Sequence, residues 1–175
     1  MAEHFRERAQ RIRLLALDVD GVLTNGHIQY TSGGDELKSF SVLDGLGIKL
    51  LRRQGIKIAI ITARQSPIVD RRARELNIDF VYQGREDKLV ALTELLEQTG
   101  IELEETAYIG DDLPDLKAIR AVGLGLTVAN ASPHVARYAV WQSAASGGAG
   151  AVREACEWLL RERGELDQAL APYME

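Results

Sequence analysis

Short unbroken apolar runs alternate along this chain with longer stretches in which apolar residues return every three or four positions. Leu14-Leu-Ala-Leu17 is the first run, followed by Ile56-Lys-Ile-Ala-Ile-Ile61, Phe80-Val-Tyr82 and Thr106-Ala-Tyr-Ile109. Runs this short and continuous suit strands buried on both faces of a parallel sheet. A fifth strand is expected near 123–128 and a weak one at 138–141. The helical spacing predicts a helix from Asp44-Gly45 to Gly55 with Leu46, Leu50 and Leu51 on one face. Ser66 caps the next, with Pro67 at its first position, and it runs to about Leu76. A helix over 86–98 turns Leu89, Leu92, Leu95 and Leu96 inward, a short one covers 114–121, and a last covers 150–163. Residues 1–12 read as a short polar helix or loose arm, and 164–175 as a flexible tail.

Strict alternation marks one region, 25–41. Ile28-Gln-Tyr30 and Leu37-Lys-Ser-Phe40 flank Ser32-Gly-Gly-Asp35, which is a β-hairpin signal beside the end of the first strand, read here as a flap. The order of elements predicts one α/β domain over 1–175, a Rossmann-like parallel sheet flanked by helices. A dinucleotide site is not indicated. Gly123-x-Gly125 lacks a third glycine, and Gly148-x-Gly150 follows a polar stretch.

Composition narrows the function. The chain is 175 residues long, 46% apolar and 27% charged, with net charge −5, which argues against a general nucleic-acid binder but leaves an anionic small substrate open. A single cysteine, Cys156, excludes an internal disulfide, and its helical spacing from Val152, Leu159 and Leu160 reads as a core thiol. No apolar run approaches the ~20 residues of a membrane span. The charged start, Met1–Arg13, is not a secretory signal, so a cytoplasmic protein is expected.

Ligands of open parallel sheets bind beyond the carboxyl ends of the strands. The first strand delivers Asp18 and Asp20 there, and the second Thr62, Ala63 and Arg64. Lys88 follows the third, and the fourth delivers Asp111, Asp112 and Asp115. Taken singly each has a plain reading: a polar turn at Asp18–Gly21, a strand end at Thr62, a solvated charge at Lys88, a helix cap at Asp111–Asp115. Their ordered occurrence, each just past a buried run, points to one site. Clustered carboxylates do not all stay ionised without a cation. Oxygen ligands without a His or Cys pattern indicate Mg²⁺. Thr62 and Lys88 suit a phosphate, so the set fits phosphoryl transfer. His4, His27 and His134 read as surface residues.

Asp18-Val-Asp20-Gly-Val-Leu-Thr24, Ile-Ile-Thr62-Ala-Arg64, Asp87-Lys88 and Ile-Gly-Asp111-Asp112-Leu-Pro-Asp115 resemble the ordered motifs of the haloacid dehalogenase superfamily. The intervals between them leave no room for a separate cap domain. The capless form, the 34–40 flap sequence and Gly147-Gly-Ala-Gly-Ala-Val-Arg-Glu154 resemble the 3-deoxy-D-manno-octulosonate 8-phosphate phosphatase family of lipopolysaccharide sugar synthesis. The resemblance implies that Asp18 is a nucleophile forming an aspartyl phosphate and that Asp20 is the acid and base. It implies Mg²⁺ held by Asp18, the main-chain carbonyl of Asp20, and Asp111, with phosphate held by Thr62 and Lys88. Asp112 and Asp115 would orient these groups.

Ser41, Val42, Leu43, Asp44, Gly45, Arg64 and Arg72 match positions that face the sugar acid in the family, alongside Asp20 and Lys88. Arginine pairs well with a carboxylate, although Arg72 alone would read as solvated. Asn25, Ala63, Leu43 and Ala149 depart from residues common in the family, and the loss of positive charge near Leu43 bears on substrate. The alternatives are the same chemistry on a nine-carbon sugar-acid phosphate, or a receiver-like phospho-switch. The small flap implies a homo-oligomer, typically a tetramer in the family, in which a neighbour's flap or tail completes the pocket.

Overall fold

The computed structural model describes residues 2–174. Its centre is β1 (Leu14–Leu17), whose four residues are fully buried. Covering each such leucine stabilises the fold by roughly 1.5–3 kcal/mol. Beside it lie β4 (Lys57–Ile61) and β6 (Thr106–Ile109), with β5 (Phe80–Tyr82), β7 (Leu124–Thr127) and β8 (Trp141–Gln142) outward. The order is β5-β4-β1-β6-β7-β8 and every pairing is parallel. A two-stranded antiparallel hairpin, β2 (Gln29–Tyr30) and β3 (Glu36–Leu37), stands apart from the sheet.

Helices cover both faces. α1 (Ala2–Arg11), α2 (Val42–Arg53), α3 (Pro67–Leu76) and α7 (Ala151–Arg163) share one apolar core, which Cys156 enters. α4 (Lys88–Thr99) and α5 (Leu116–Ala121) pack Leu92, Leu95 and Ile119 on the other face. A short α6 (Pro133–Ala136) lies between β7 and β8. Ser66 and Asp87 cap α3 and α4 through their side chains. Between β1 and β4 the chain holds the hairpin and α2, and between α4 and β6 a single 3₁₀ turn.

Two expectations are corrected. The loose tail expected over 164–175 is ordered across the described residues 164–174, where α8 (Leu166–Leu170) folds back, buries Ala169, and lays Leu166 and Leu170 against the core, while Glu175 lies outside the described residues. The helix expected from Asp44 starts two residues earlier, because Ser41 is its N-cap and accepts from the Leu43 amide. The fold positions a site by register. Leu17 pairs with Ile60 on one side and Ile109 on the other, so Asp18, Thr62 and Asp111 leave the sheet at one rim. Strand order also reverses at β1, where parallel sheets open a crevice.

Candidate active site

Asp18 begins the site. Its amide still bonds to the Ile109 carbonyl at 3.1 Å, so the sheet fixes its backbone. Its Oδ1 accepts from the Val19 amide at 2.7 Å and lies 2.7 Å from Lys88 Nζ. Lys88, in the first turn of α4, is 3% exposed, which removes its plain reading as a solvated charge. Burial works against its ammonium, but Asp18 and Asp115 outweigh that and hold its pKa up.

Asp115 is fully committed inside the protein. Oδ1 accepts from Lys88 and from the Tyr108 hydroxyl, each at 2.8 Å. Oδ2 accepts from the amides of Asp111 and Asp112 at 3.0 and 3.3 Å. Gly110 allows this packing, since a Cβ there would meet Asp115 Cβ at 2.4 Å. Asp115 therefore shapes the Asp111–Asp112 turn and steadies Lys88.

Carboxylate oxygens of Asp18, Asp111 and Asp115 lie within 4.8 Å of one another. Burial first, then the charge of Asp115, raises both Asp18 and Asp111 to a pKa of about 7. One buried lysine does not neutralise three carboxylates, so the cluster is short of positive charge. A divalent, oxygen-seeking ion fits that deficit and that donor set. Backbone approaches closely here too: Gly21, at φ +91°, would drive a Cβ to 2.0 Å from Asp111 Oδ2. Gly147 and Gly148 in turn support the Asp20–Thr24 loop, with the Gly148 amide donating to the Val22 carbonyl at 3.0 Å.

A pocket of about 260 Å³ opens over these groups. Asp18, Asp20, Thr62, Lys88 and Asp111 share its wall with Ala63, Arg64, Asp112 and Asp115. The other sugar-facing candidates lie elsewhere in the chain. Val42, Gly45 and Arg72 line a separate groove, where Arg72 donates to the Ser41 carbonyl at 3.2 Å. Val42 and Leu43 are 81% and 55% exposed. Asp44 is buried, and its Oδ1 accepts from the Arg153 amide at 2.9 Å, so its carboxylate caps α7.

Sequence reasoning missed Lys38, whose side chain is 2% exposed and whose Nζ lies 2.6 Å from Asp20 Oδ1. The hairpin alternation was legible, but Leu37 faces out at 49% exposure and Lys38 faces in. Tyr108 was missed as well. A tyrosine inside a fully buried strand is the available signal, because its hydroxyl needs a partner.

Known proteins resemble this arrangement closely. A family model described as haloacid dehalogenase-like hydrolase matches residues 80–151. The Escherichia coli K12 3-deoxy-D-manno-octulosonate 8-phosphate phosphatase is 46% identical over 162 residues, covering 93% of this chain and 86% of that relative. The chain belongs to the 3-deoxy-D-manno-octulosonate 8-phosphate phosphatase family. Among solved members, the Moraxella catarrhalis phosphatase in complex with magnesium, phosphate and KDO superposes with a TM-score of 0.94. It is 47% identical, with 97% of each chain covered. The cobalt-bound Haemophilus influenzae phosphatase gives a TM-score of 0.89 at 38% identity, covering 94% of this chain and 99% of that one.

Proposed function

We propose that this family member is a Mg²⁺-dependent phosphatase that converts 3-deoxy-D-manno-octulosonate 8-phosphate to the free sugar acid and phosphate, for lipopolysaccharide precursor synthesis. One observation carries the reading: Asp18, Thr62, Lys88 and Asp111 meet in one pocket whose carboxylates lack counter-charge. Asp18 and Asp111, with the Asp20 main-chain carbonyl, would hold the ion. Bound there, Mg²⁺ supplies charge stabilisation to the transferring phosphoryl group. Asp115 is not a ligand in this reading, since its oxygens already accept from Lys88, Tyr108 and two amides.

Both contacts to Asp18 fall on Oδ1, leaving Oδ2 to attack phosphorus. The bond from phosphorus to the sugar oxygen breaks, and Asp20 gives that oxygen its proton. Asp20 then takes a proton from water, whose oxygen attacks the aspartyl phosphate and frees Asp18. Thr62 and Lys88 hold the phosphoryl oxygens throughout, and Asp112 and Asp115 keep Asp111 and Lys88 in place.

Arg64 stands at the pocket mouth for the sugar carboxylate. Arg72, with Ser41, Val42, Leu43 and Gly45 at the start of α2, would meet the sugar across a subunit boundary. Exposed Ile28, Tyr30 and Leu37 on the hairpin, with Val42 and Leu43, support a homotetramer in which a neighbour completes the pocket. Among the described residues no helix is long and apolar enough to cross a membrane. A cytoplasmic site of action goes with a multiply charged substrate, which does not cross a bilayer.

Phosphate release from the eight-carbon and a nine-carbon sugar-acid phosphate, with and without Mg²⁺, tests the reading. Mg²⁺-dependent turnover favouring the eight-carbon substrate is expected, and absent in Asp18→Asn. Preference for the nine-carbon acid would replace the substrate. Turnover that survives Asp18→Asn would overturn the mechanism. Light scattering at a single-subunit mass would remove the tetramer.

A further inference from the structure

The flap has a feature that the phosphatase reading does not use. Lys38 follows β3, yet its side chain is buried and does not line the pocket. Its ammonium reaches Asp20 Oδ1 at 2.6 Å and Glu36 Oε1 at 3.2 Å. Glu36 Oε1 also accepts from Arg64 Nη2 at 3.1 Å, and Arg64 Nε lies 4.0 Å from Asp20 Oδ2. Two acids and two bases thus close a ring that joins the hairpin to the ends of β1 and β4. Burying a lysine is costly unless it is paired, and here the pairing falls on the residue assigned as acid and base.

We propose that Lys38 is a positioning residue for Asp20. It holds Oδ1 from behind the pocket, which fixes the carboxylate plane and leaves Oδ2 as the oxygen that hands a proton to the departing sugar. The hairpin then serves as the anchor of the acid and base, through Lys38 and Glu36, in addition to standing over the site. Lys38 touches neither substrate nor metal in this arrangement, so its effect on the reaction passes through Asp20. The inference rests on the phosphatase reading, because it needs Asp20 to be the proton donor.

Leaving-group dependence separates positioning from mere support. A sugar alkoxide needs a proton as it departs, whereas p-nitrophenolate leaves as a stable anion. Lys38→Met keeps the length and packing of the side chain and removes the ammonium. Measuring kcat/KM for the sugar-acid phosphate and for p-nitrophenyl phosphate on one preparation would make any unfolded fraction cancel in the ratio. The expected result is a loss of about 10- to 100-fold on the sugar phosphate against no more than about 3-fold on the aryl ester. Lys38→Arg, which keeps the charge, should recover part of the loss. In an Asp20→Asn background Lys38→Met should add nothing to the loss on the sugar phosphate, since the two act as one unit. An equal fall on both substrates, or full additivity with Asp20→Asn, would overturn the inference. Wild-type protein inactive on both phosphates would instead sink the phosphatase reading itself.

Discussion

The Lys88 ammonium and the Asp115 carboxylate meet at 2.8 Å, with side chains only 3% and 1% exposed. Nothing else buried near Asp18 and Asp115 carries positive charge in the contacts described, so this lysine holds the cluster together. Removing one partner of a buried pair is far more damaging than replacing both. Lys88→Met should therefore lower unfolding free energy by about 3–5 kcal/mol in metal-free buffer, read from urea denaturation. Added Mg²⁺ should return part of that loss, because a divalent ion answers the same charge deficit. A variant as stable as wild type without metal would show that the cluster tolerates its own repulsion.

Metal binding should also depend on pH in a definite direction. Asp18 and Asp111 have pKa values raised to about 7 by burial and by Asp115. An unfolded aspartate titrates near 3.9, so the metal-free fold holds extra protons between roughly pH 4 and 7. Stability from these groups is complete below pH 4 and is lost as pH rises through 7. Binding a cation expels those protons, so Mg²⁺ affinity should rise with pH over the same window. Calorimetry should give a Kd at pH 7.5 at least about tenfold tighter than at pH 5.5, with proton release at the lower pH. A Kd that does not move with pH would mean that the carboxylates are already ionised without metal.

How legible this was depended on what each residue needed from the rest of the chain. Asp18, Thr62 and Asp111 could be placed from sequence because a parallel sheet sends every carboxyl end to one rim, whatever the strand order. Lys88 needed only the start of a capped helix, and Asp87 supplied the cap. Lys38 was hidden because a hairpin has two faces and alternation does not say which is turned in; here the apolar Leu37 is the exposed one. The cap that Asp44 gives α7 was not legible because proximity along the chain carries no direction, and α7, with glycine at its N-cap position, lay over 100 residues away. α8 has barely more than one turn of spacing, Leu166, Ala169 and Leu170, too short to register as a period.

The Gly147–Gly148 pair, carried in sequence only as part of a resemblance, has a physical reason in the structure. A Cβ on Gly147 would lie 1.8 Å from the Gly21 carbonyl oxygen and 2.9 Å from that of Thr24. Both neighbours are backbone, so neither rotates away. Gly147→Ala should displace the Asp20–Thr24 loop, cost about 1–3 kcal/mol or more in stability, and lower kcat. Gly33→Ala, where the nearest atom is Thr31 Oγ1 at 3.6 Å, should change neither. Thermal melts and phosphate release on the two variants check this, and a normal Gly147→Ala enzyme would mean that the loop has room to move.

Asp44 distinguishes a structural carboxylate from a substrate contact. Glycine at position 150 offers α7 no capping side chain, and Asp44 supplies one from α2 by accepting the Arg153 amide. Its other oxygen, Oδ2, is buried without a hydrogen-bond partner among the described residues, and burial raises its pKa despite the amides that lower it. The carboxylate's value to the protein therefore lies in joining two helices. Asp44→Ala should cost about 1–2 kcal/mol, the usual loss of a helix cap. KM for the sugar phosphate should stay within about 2-fold, as expected of a group that makes no contact with substrate. Denaturation and steady-state kinetics on the same variant decide the matter. A raised KM with unchanged stability would return Asp44 to the sugar site and would require its side chain to swing out of the α2–α7 contact when substrate binds.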